Sequence, residues 1–103
     1  MKGSQMFDKI KAIMDMKKKM EEIKQELDKT EFEISSSDGL VRITMNGSQE
    51  VQKVAIARNP QNLSDEKLQD AIKDSLNRAI KRSQEIAAQK MRDAAGGINL
   101  PGI

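Results

Sequence analysis

Basic side chains in two long charged segments are the residues of this chain most able to bind a ligand. Three of them cluster in the second segment: Arg78, Lys81 and Arg82. Residues three and four positions apart share one helix face, and a guanidinium can donate two parallel hydrogen bonds to a phosphate. The cluster therefore predicts a phosphate-binding surface. The alternative is intrahelical pairing, since Asp74 and Glu85 lie within four positions of the arginines.

A second group of lysines lies in the first charged segment. The candidates for contacting phosphates there are Lys11, Lys17, Lys18 and Lys19. A helix that lies along a nucleic-acid duplex can neutralise phosphates with such side chains. The competing interpretation is a solvated helix face, because acidic residues four positions away can pair with Lys18 and Lys19. The stem of Lys17 also adjoins apolar positions, where it can cover a helix–helix contact.

Missing residue types exclude most enzymatic chemistry. The chain has no His, Cys, Tyr or Trp, which removes the usual general base, the thiol nucleophile and every imidazole or thiolate metal ligand. No nucleophile motif, phosphate-binding glycine loop or calcium-binding loop is present. We therefore predict a protein that is not an enzyme and that needs no cofactor or metal.

The few aromatic residues restrict how a nucleic acid would be bound. Phe7 and Phe32 are the only two, so stacking on unpaired bases is poorly supported. No helix-turn-helix or zinc-finger pattern is available to read base edges. Any nucleic acid should therefore be a duplex, held through its backbone with little sequence readout.

Length indicates one small domain over residues 1–103. The polar, glycine-containing start and the glycines and proline near the end predict flexible tails at 1–5 and 96–103. Eighteen basic and sixteen acidic residues give a net charge of only +2, so a phosphate-binding surface must come from clustering on helices or from doubling in an oligomer. No apolar run is long enough to cross a bilayer, and no small-molecule substrate site is indicated. The lack of cysteine and of a signal peptide favours the cytoplasm.

The first charged segment predicts a helix from about Met6 to Lys29. Its apolar residues recur every seven positions, and Ile23 fills an intervening position; the members at the end that should pack on another helix are Met20, Ile23 and Leu27. Three to four heptads are short for an independent coiled coil, so packing on another helix or a sheet is expected. The methionines of this helix are read as core residues, or alternatively as an adaptable protein-binding groove.

Alternating residues after this helix predict a three-stranded antiparallel sheet. The expected strands cover residues 31–37, 40–45 and 49–57. Asp38-Gly39 supplies the first turn, and Asn46-Gly47, the strongest short-range hairpin signal, supplies the second. In the second strand, Val41, Ile43 and Met45 should share the apolar face.

The second charged segment predicts a helix that starts after Ser64 and ends near Ala94, before Gly96-Gly97. About 31 residues at roughly 1.5 Å each would span about 45 Å, which exceeds the diameter of a compact chain of this size. The helix must then overhang its sheet and expose apolar residues such as Ile86 and Met91. A second copy of the chain is the simplest cover, which predicts a homodimer.

Several short motifs in this order resemble the YbaB/EbfC family. The residues that carry the resemblance are Gly39-Leu40-Val41, Met45-Asn46-Gly47, Val51, Val54, Ile56, Asn77, Ala79, Lys81-Arg82, Gly96-Gly97 and Leu100-Pro101-Gly102. Each motif alone is weak, but together they cover nearly the whole chain.

The resemblance implies an α+β protein of order α-β-β-β-α that forms a tweezer-like homodimer. It also implies a cytoplasmic, nucleoid-associated protein that binds double-stranded DNA and affects nucleoid organisation and gene expression. The alternative function is a non-enzymatic helical clamp or adaptor that binds another protein.

Overall fold

The computed structural model describes residues 2–57 and 64–96, and the side chains from Gln5 onward within them. Its elements follow the predicted α-β-β-β-α order: α1 (Lys2–Lys29), β1 (Glu31–Ser35), β2 (Val41–Asn46), β3 (Val51–Ile56) and α2 (Asp65–Gly96).

Element ends differ from the sequence-based boundaries. Helix α1 starts at Lys2 rather than Met6, so the predicted N-terminal tail is helical from Lys2 onward. Helix α2 includes Gly96, whereas the rest of the predicted C-terminal tail, residues 97–103, lies outside the described residues. Strands β1 and β3 are two and three residues shorter than predicted, and β2 is shifted by one residue. The limits of β1 and β3 are set by their pairing with β2.

The sheet is an antiparallel meander in the order β1-β2-β3, as predicted. Val41, Ile43 and Met45 of the central strand are almost fully buried and form the core together with α2. Phe32 and Ile34 of β1 pair with Met45 and Ile43 and share the same face. The predicted apolar face of β2 is therefore confirmed.

Helix α2 packs on this face through a row of small side chains. The buried members are Ala71, Ser75, Ala79 and Ser83, one every four residues. Small side chains let the helix axis approach the sheet closely. Apolar periodicity does not mark Ser75 and Ser83, because both side chains are polar. Both buried hydroxyls are hydrogen-bonded: that of Ser75 donates to the Ala71 carbonyl at 2.8 Å, and that of Ser83 donates to the Asn46 carbonyl at 3.0 Å.

The β1–β2 turn depends on a glycine and on one carboxylate. Gly39 has φ 75°, a left-handed conformation that glycine adopts without steric cost. The Asp38 carboxylate accepts hydrogen bonds from the Ser36 hydroxyl at 2.6 Å and from the Leu40 amide at 3.1 Å. These donors hold the pKa of Asp38 below its ordinary value.

The β2–β3 turn has a different construction from a two-residue Asn-Gly hairpin. Asn46 pairs with Glu50 across a three-residue loop, and Gln49 takes the left-handed position at φ 62°. The buried Asn46 side chain accepts from the amides of Ser48 and Glu50 and donates to the carbonyl of Asp28. The hairpin prediction is confirmed, but its left-handed residue is Gln49.

Gly47 is required because the last turn of α1 lies directly on this loop. Its amide donates to the carbonyls of Leu27 and Thr30, at 2.9 and 3.0 Å. The Asp28 carboxylate accepts from the Ser48 hydroxyl and lies 3.3 Å from the Lys24 amine, and both contacts lower the pKa of Asp28. We call residues 27–30, 46–50 and Ser83 the helix–hairpin joint.

Beyond the joint, α1 extends away from the sheet as a long arm. Ile23 is buried near α2, whereas every described α1 side chain from Gln5 to Glu22 is exposed. The molecule consequently measures 76 × 24 × 18 Å. The sequence predicts an overhang of α2, but the N-terminal half of α1 is also uncovered, because Asp93 and Ala94 near the end of α2 lie beside Lys19 and Ile23 of α1.

We predict that Gly47→Ala destabilises the protein by about 1–3 kcal/mol, because a Cβ has no space at the joint. It would lie 2.7 Å from Leu27 Cδ2 and 3.1 Å from the Leu27 carbonyl oxygen, and the backbone atom cannot move without breaking the joint. Urea denaturation at a fixed protein concentration measures the change.

Gly39→Asn is the matched control for Gly47→Ala. A Cβ at Gly39 meets no atom within 4 Å, and asparagine tolerates the left-handed conformation. Its unfolding free energy should stay within about 0.5 kcal/mol of wild type. An equal loss of stability in both variants would contradict the close-approach explanation.

Candidate nucleic-acid interface

The basic cluster of α2 is positioned by the way this helix starts and packs. The Ser64 hydroxyl accepts from the Lys67 amide at 3.2 Å, so Ser64 caps the helix at the start that the sequence predicts. Ala79 faces the sheet, and Lys81 lies about 200° further around the helix, so its amine points to solvent on the outer surface.

Arg78 contacts strand β1 and helps to hold α2 on the sheet. Its Nη1 donates to the Ser35 carbonyl oxygen at 3.0 Å and lies 4.0 Å from the Asp74 carboxylate. The same carboxylate accepts from the amide and hydroxyl of Ser37, at 2.9 and 3.1 Å. The structure thus gives Arg78 a tertiary contact that spacing in the sequence could not reveal.

Arg82 and Lys81 differ in how far their charge is compensated. Arg82 Nη1 lies 3.5 Å from the Glu85 carboxylate, and both side chains are about half exposed. Such an exposed pair is weak and leaves guanidinium donors for a ligand. Lys81 forms no ion pair with any described residue. The three basic side chains therefore lie together on α2, and Lys81 is the one without an ion pair or hydrogen-bond partner among the described residues.

The α1 lysines are exposed and point in several directions. Among the described residues, Lys11, Lys17, Lys18 and Lys19 form no ion pair, so the alternative pairing of Lys18 and Lys19 within the helix is not observed. Consecutive residues are separated by about 100° around a helix, so Lys17, Lys18 and Lys19 cannot form one patch. Lys11 and Lys18 lie about 20° apart and share a surface.

The two helices meet at the end of α1 nearest the joint, where the sequence predicts that α1 packs on another helix. Ile23 is buried, Leu27 and Ile86 are half-buried, and Met20 and Met91 remain 46% and 41% exposed. Lys90 and Glu26 form an ion pair of 3.2 Å across the contact. This pair has no local sequence signal, because its members belong to different helices.

A row of apolar side chains on β3 is uncovered. Val51, Val54 and Ile56 pair with core residues of β2 and share their face, yet they are 45–52% exposed. The reason is that α2 crosses β1 and β2 rather than β3. Arg78 reaches β1, and Ile80 lies about 200° further around α2, on the flank away from Arg78. Ile80 is exposed as well. We call Val51, Val54, Ile56 and Ile80 the β3 row.

Neither a metal site nor a membrane-spanning helix is found in the described part of the chain. Within residues 2–57 and 64–96, no group of three or more acidic side chains is arranged to hold a metal ion. No helix in the described part of the chain is long and apolar enough to cross a membrane.

Comparison with solved structures identifies a protein of the same fold. An uncharacterized protein from Helicobacter pylori matches with a TM-score of 0.73 over 85% of this chain and 95% of that chain. The sequence identity is 21%, so this likeness concerns the fold alone.

Comparison of sequences identifies relatives that match over nearly their whole length. A nucleoid-associated protein of Syntrophobacter fumaroxidans is 38% identical over 103 residues, which are 99% of this chain and 91% of that protein. One from Clostridium acetobutylicum is 32% identical over 104 residues, or 100% and 93% of the two chains. The family model of the YbaB/EbfC DNA-binding family matches residues 1–98. The predicted resemblance is therefore confirmed, and this chain belongs to the YbaB/EbfC DNA-binding family.

Proposed function

We propose that this protein is nucleoid-associated and binds double-stranded DNA as a homodimer, mainly through the sugar–phosphate backbone. Family membership and the names of the relatives support DNA as the partner. The structural observation that carries the proposal is the exposed Lys81, which forms no ion pair with any described residue, beside the half-exposed Arg82 on α2. Lys11 and Lys18 on the α1 arm supply a further exposed basic surface.

The chemistry of these side chains favours contacts with phosphates over contacts with bases. Lysine is a flexible point charge that neutralises phosphates without fixing a base edge. The outer surface of α2 also mixes signs, since Asp70 and Glu85 accompany Lys81 and Arg82. Such a surface gives salt-dependent binding that tolerates many sequences. An effect on nucleoid organisation, and through it on gene expression, follows from binding of this kind.

A homodimer would provide the charge that one chain lacks. The β3 row exposes four large apolar side chains, and three of them lie on an edge strand that no other described strand pairs on its outer side. Both features favour association with another chain. Pairing this surface with itself in a second copy covers both rows at once. Two copies of the basic cluster of α2 would then contact one DNA molecule, which raises the affinity of the protein for DNA without any additional basic residue.

We predict that Lys81→Glu with Arg82→Glu weakens duplex binding on the order of tenfold or more, because phosphate neutralisation becomes repulsion. The loss should be similar for unrelated duplex sequences. Wild-type affinity should fall by roughly 0.9 log units per log unit of salt for each phosphate contacted, and the variant slope should be shallower. Gel-shift titrations at several salt concentrations measure both quantities.

Two controls sharpen this test. Arg42→Glu with Lys53→Glu makes the same change in net charge on the open face of the sheet, and it should preserve most of the affinity. Glu85→Gln releases Arg82 from its ion pair and should tighten binding by about two- to fivefold. If both charge-reversal variants lose affinity equally, α2 has no special role and only net charge matters.

We predict that Val54→Glu converts the homodimer to a monomer, because it places a charge in the β3 row. Light scattering after gel filtration at micromolar concentration should report about twice the chain mass for wild type and about one chain mass for the variant.

Ala55→Glu introduces the same charge on the neighbouring residue of β3. Ala55 pairs with Arg42 and points to the open face of the sheet, so this variant should stay dimeric. A monomeric wild-type protein, or a dimeric Val54→Glu variant that retains its fold by circular dichroism, would contradict the β3 interface.

A further inference from the structure

The N-terminal half of α1 carries a second apolar face that no described residue covers. Its five side chains are between 49% and 75% exposed: Met6, Phe7, Ile10, Ile13 and Met14. At about 100° per residue they fall within roughly 120° of the helix surface. We call these five residues the tip face. Contiguous large apolar side chains in solvent mark an interaction surface.

Lysines border the tip face on both sides. Lys9 lies about 40° beyond one edge, and Lys11 lies about 40° beyond the other. The acidic residues of this half, Asp8 and Asp15, lie about 140–160° from the centre of the tip face, on the opposite surface of the helix. All of these charged side chains are exposed. The apolar surface therefore lies between two positively charged borders.

We propose that the tip face binds an acidic amphipathic helix of a partner protein. Met6, Ile13 and Met20 keep a strict seven-residue spacing, which suits packing against another helix. Glutamates beside the apolar stripe of the partner would pair with the bordering lysines, as charged residues do beside a coiled-coil seam. Flexible methionines adapt their shape to such a partner.

Charge and shape argue against the other occupants. A second copy of the tip face would bring lysines against lysines, which disfavours self-association. A DNA backbone offers phosphates to the borders but no apolar surface for the centre. A lipid surface requires an apolar face but not a seven-residue repeat. The proposal adds a protein partner to the DNA-binding function, and it does not depend on the basic cluster of α2.

Two fluorescein-labelled helical peptides of about three heptads provide the probe. They share one stripe of isoleucine and leucine and carry either glutamate or lysine beside it. Fluorescence anisotropy with the full chain should show that the acidic peptide binds at least about tenfold more tightly than the basic one. Lys9→Glu with Lys11→Glu should reverse this preference.

The apolar part is tested by Met6→Gln with Ile13→Gln, which should weaken binding of the acidic peptide by at least about tenfold. Ala12→Gln, about 160° from the centre of the tip face, is the matched control and should bind normally. Circular dichroism should show the same helix content for both. Duplex binding by the tip variant should stay at the wild-type level, which separates this test from that of DNA binding.

Several results would overturn the proposal. Equal binding of the acidic and basic peptides, or unchanged peptide binding by the tip variant, would remove it. A smaller assembly of the tip variant in sedimentation would assign the face to a second copy. Loss of binding to phosphatidylglycerol vesicles by the tip variant, with no peptide binding by wild type, would assign it to lipid.

Discussion

The close approach of α1 to the β2–β3 loop is the constraint on which the rest of the structure depends. It requires residue 47 to have no side chain, because Leu27 occupies the space that a Cβ would need. The Gly47 amide then ties the loop to the last turn of α1, while the buried Asn46 side chain bonds the carbonyl of Asp28. Ser83 connects the same loop to α2, since its hydroxyl donates to Asn46 and accepts from the Gln49 amide. Three elements are thus fixed at one point.

Fixing the elements there decides which surfaces stay uncovered. Helix α2 crosses β1 and β2 on a row of small side chains, so β3 keeps its apolar residues in solvent. Helix α1 leaves the joint pointing away from the sheet, and only Ile23 in its described part is buried. The chain therefore has a small core and two long helices with large accessible surfaces. Both proposed interactions between proteins use surfaces that this arrangement exposes, and the proposed DNA contacts use the outer side of α2 and the exposed lysines of the α1 arm.

Charge in this protein is organised by individual contacts rather than by net charge. Arg78 looks equivalent to Arg82 in the sequence, yet it bonds a β1 carbonyl and helps to hold α2 on the sheet. Arg82 has only a weak exposed partner, and Lys81 has none within the described residues. On α1, the acidic residues lie on one surface of the outer half, and lysines border its apolar face. A chain with a net charge of only +2 thereby presents separate basic surfaces.

The sequence by itself determined the order of the elements, the apolar face of β2, the positions of both turns and the family, because these depend on local periodicity and on residues that are neighbours in the chain. It also identified the basic cluster of α2, whose members share a helix face whatever surrounds them. Only the tertiary structure decided that Arg78 is occupied by Ser35, that Lys90 pairs with Glu26 and that Ser75 and Ser83 belong to the core. It likewise showed that Gly47 serves close approach rather than an unusual φ. These properties depend on atoms from elements far apart in the chain, and no local pattern records which of them will meet.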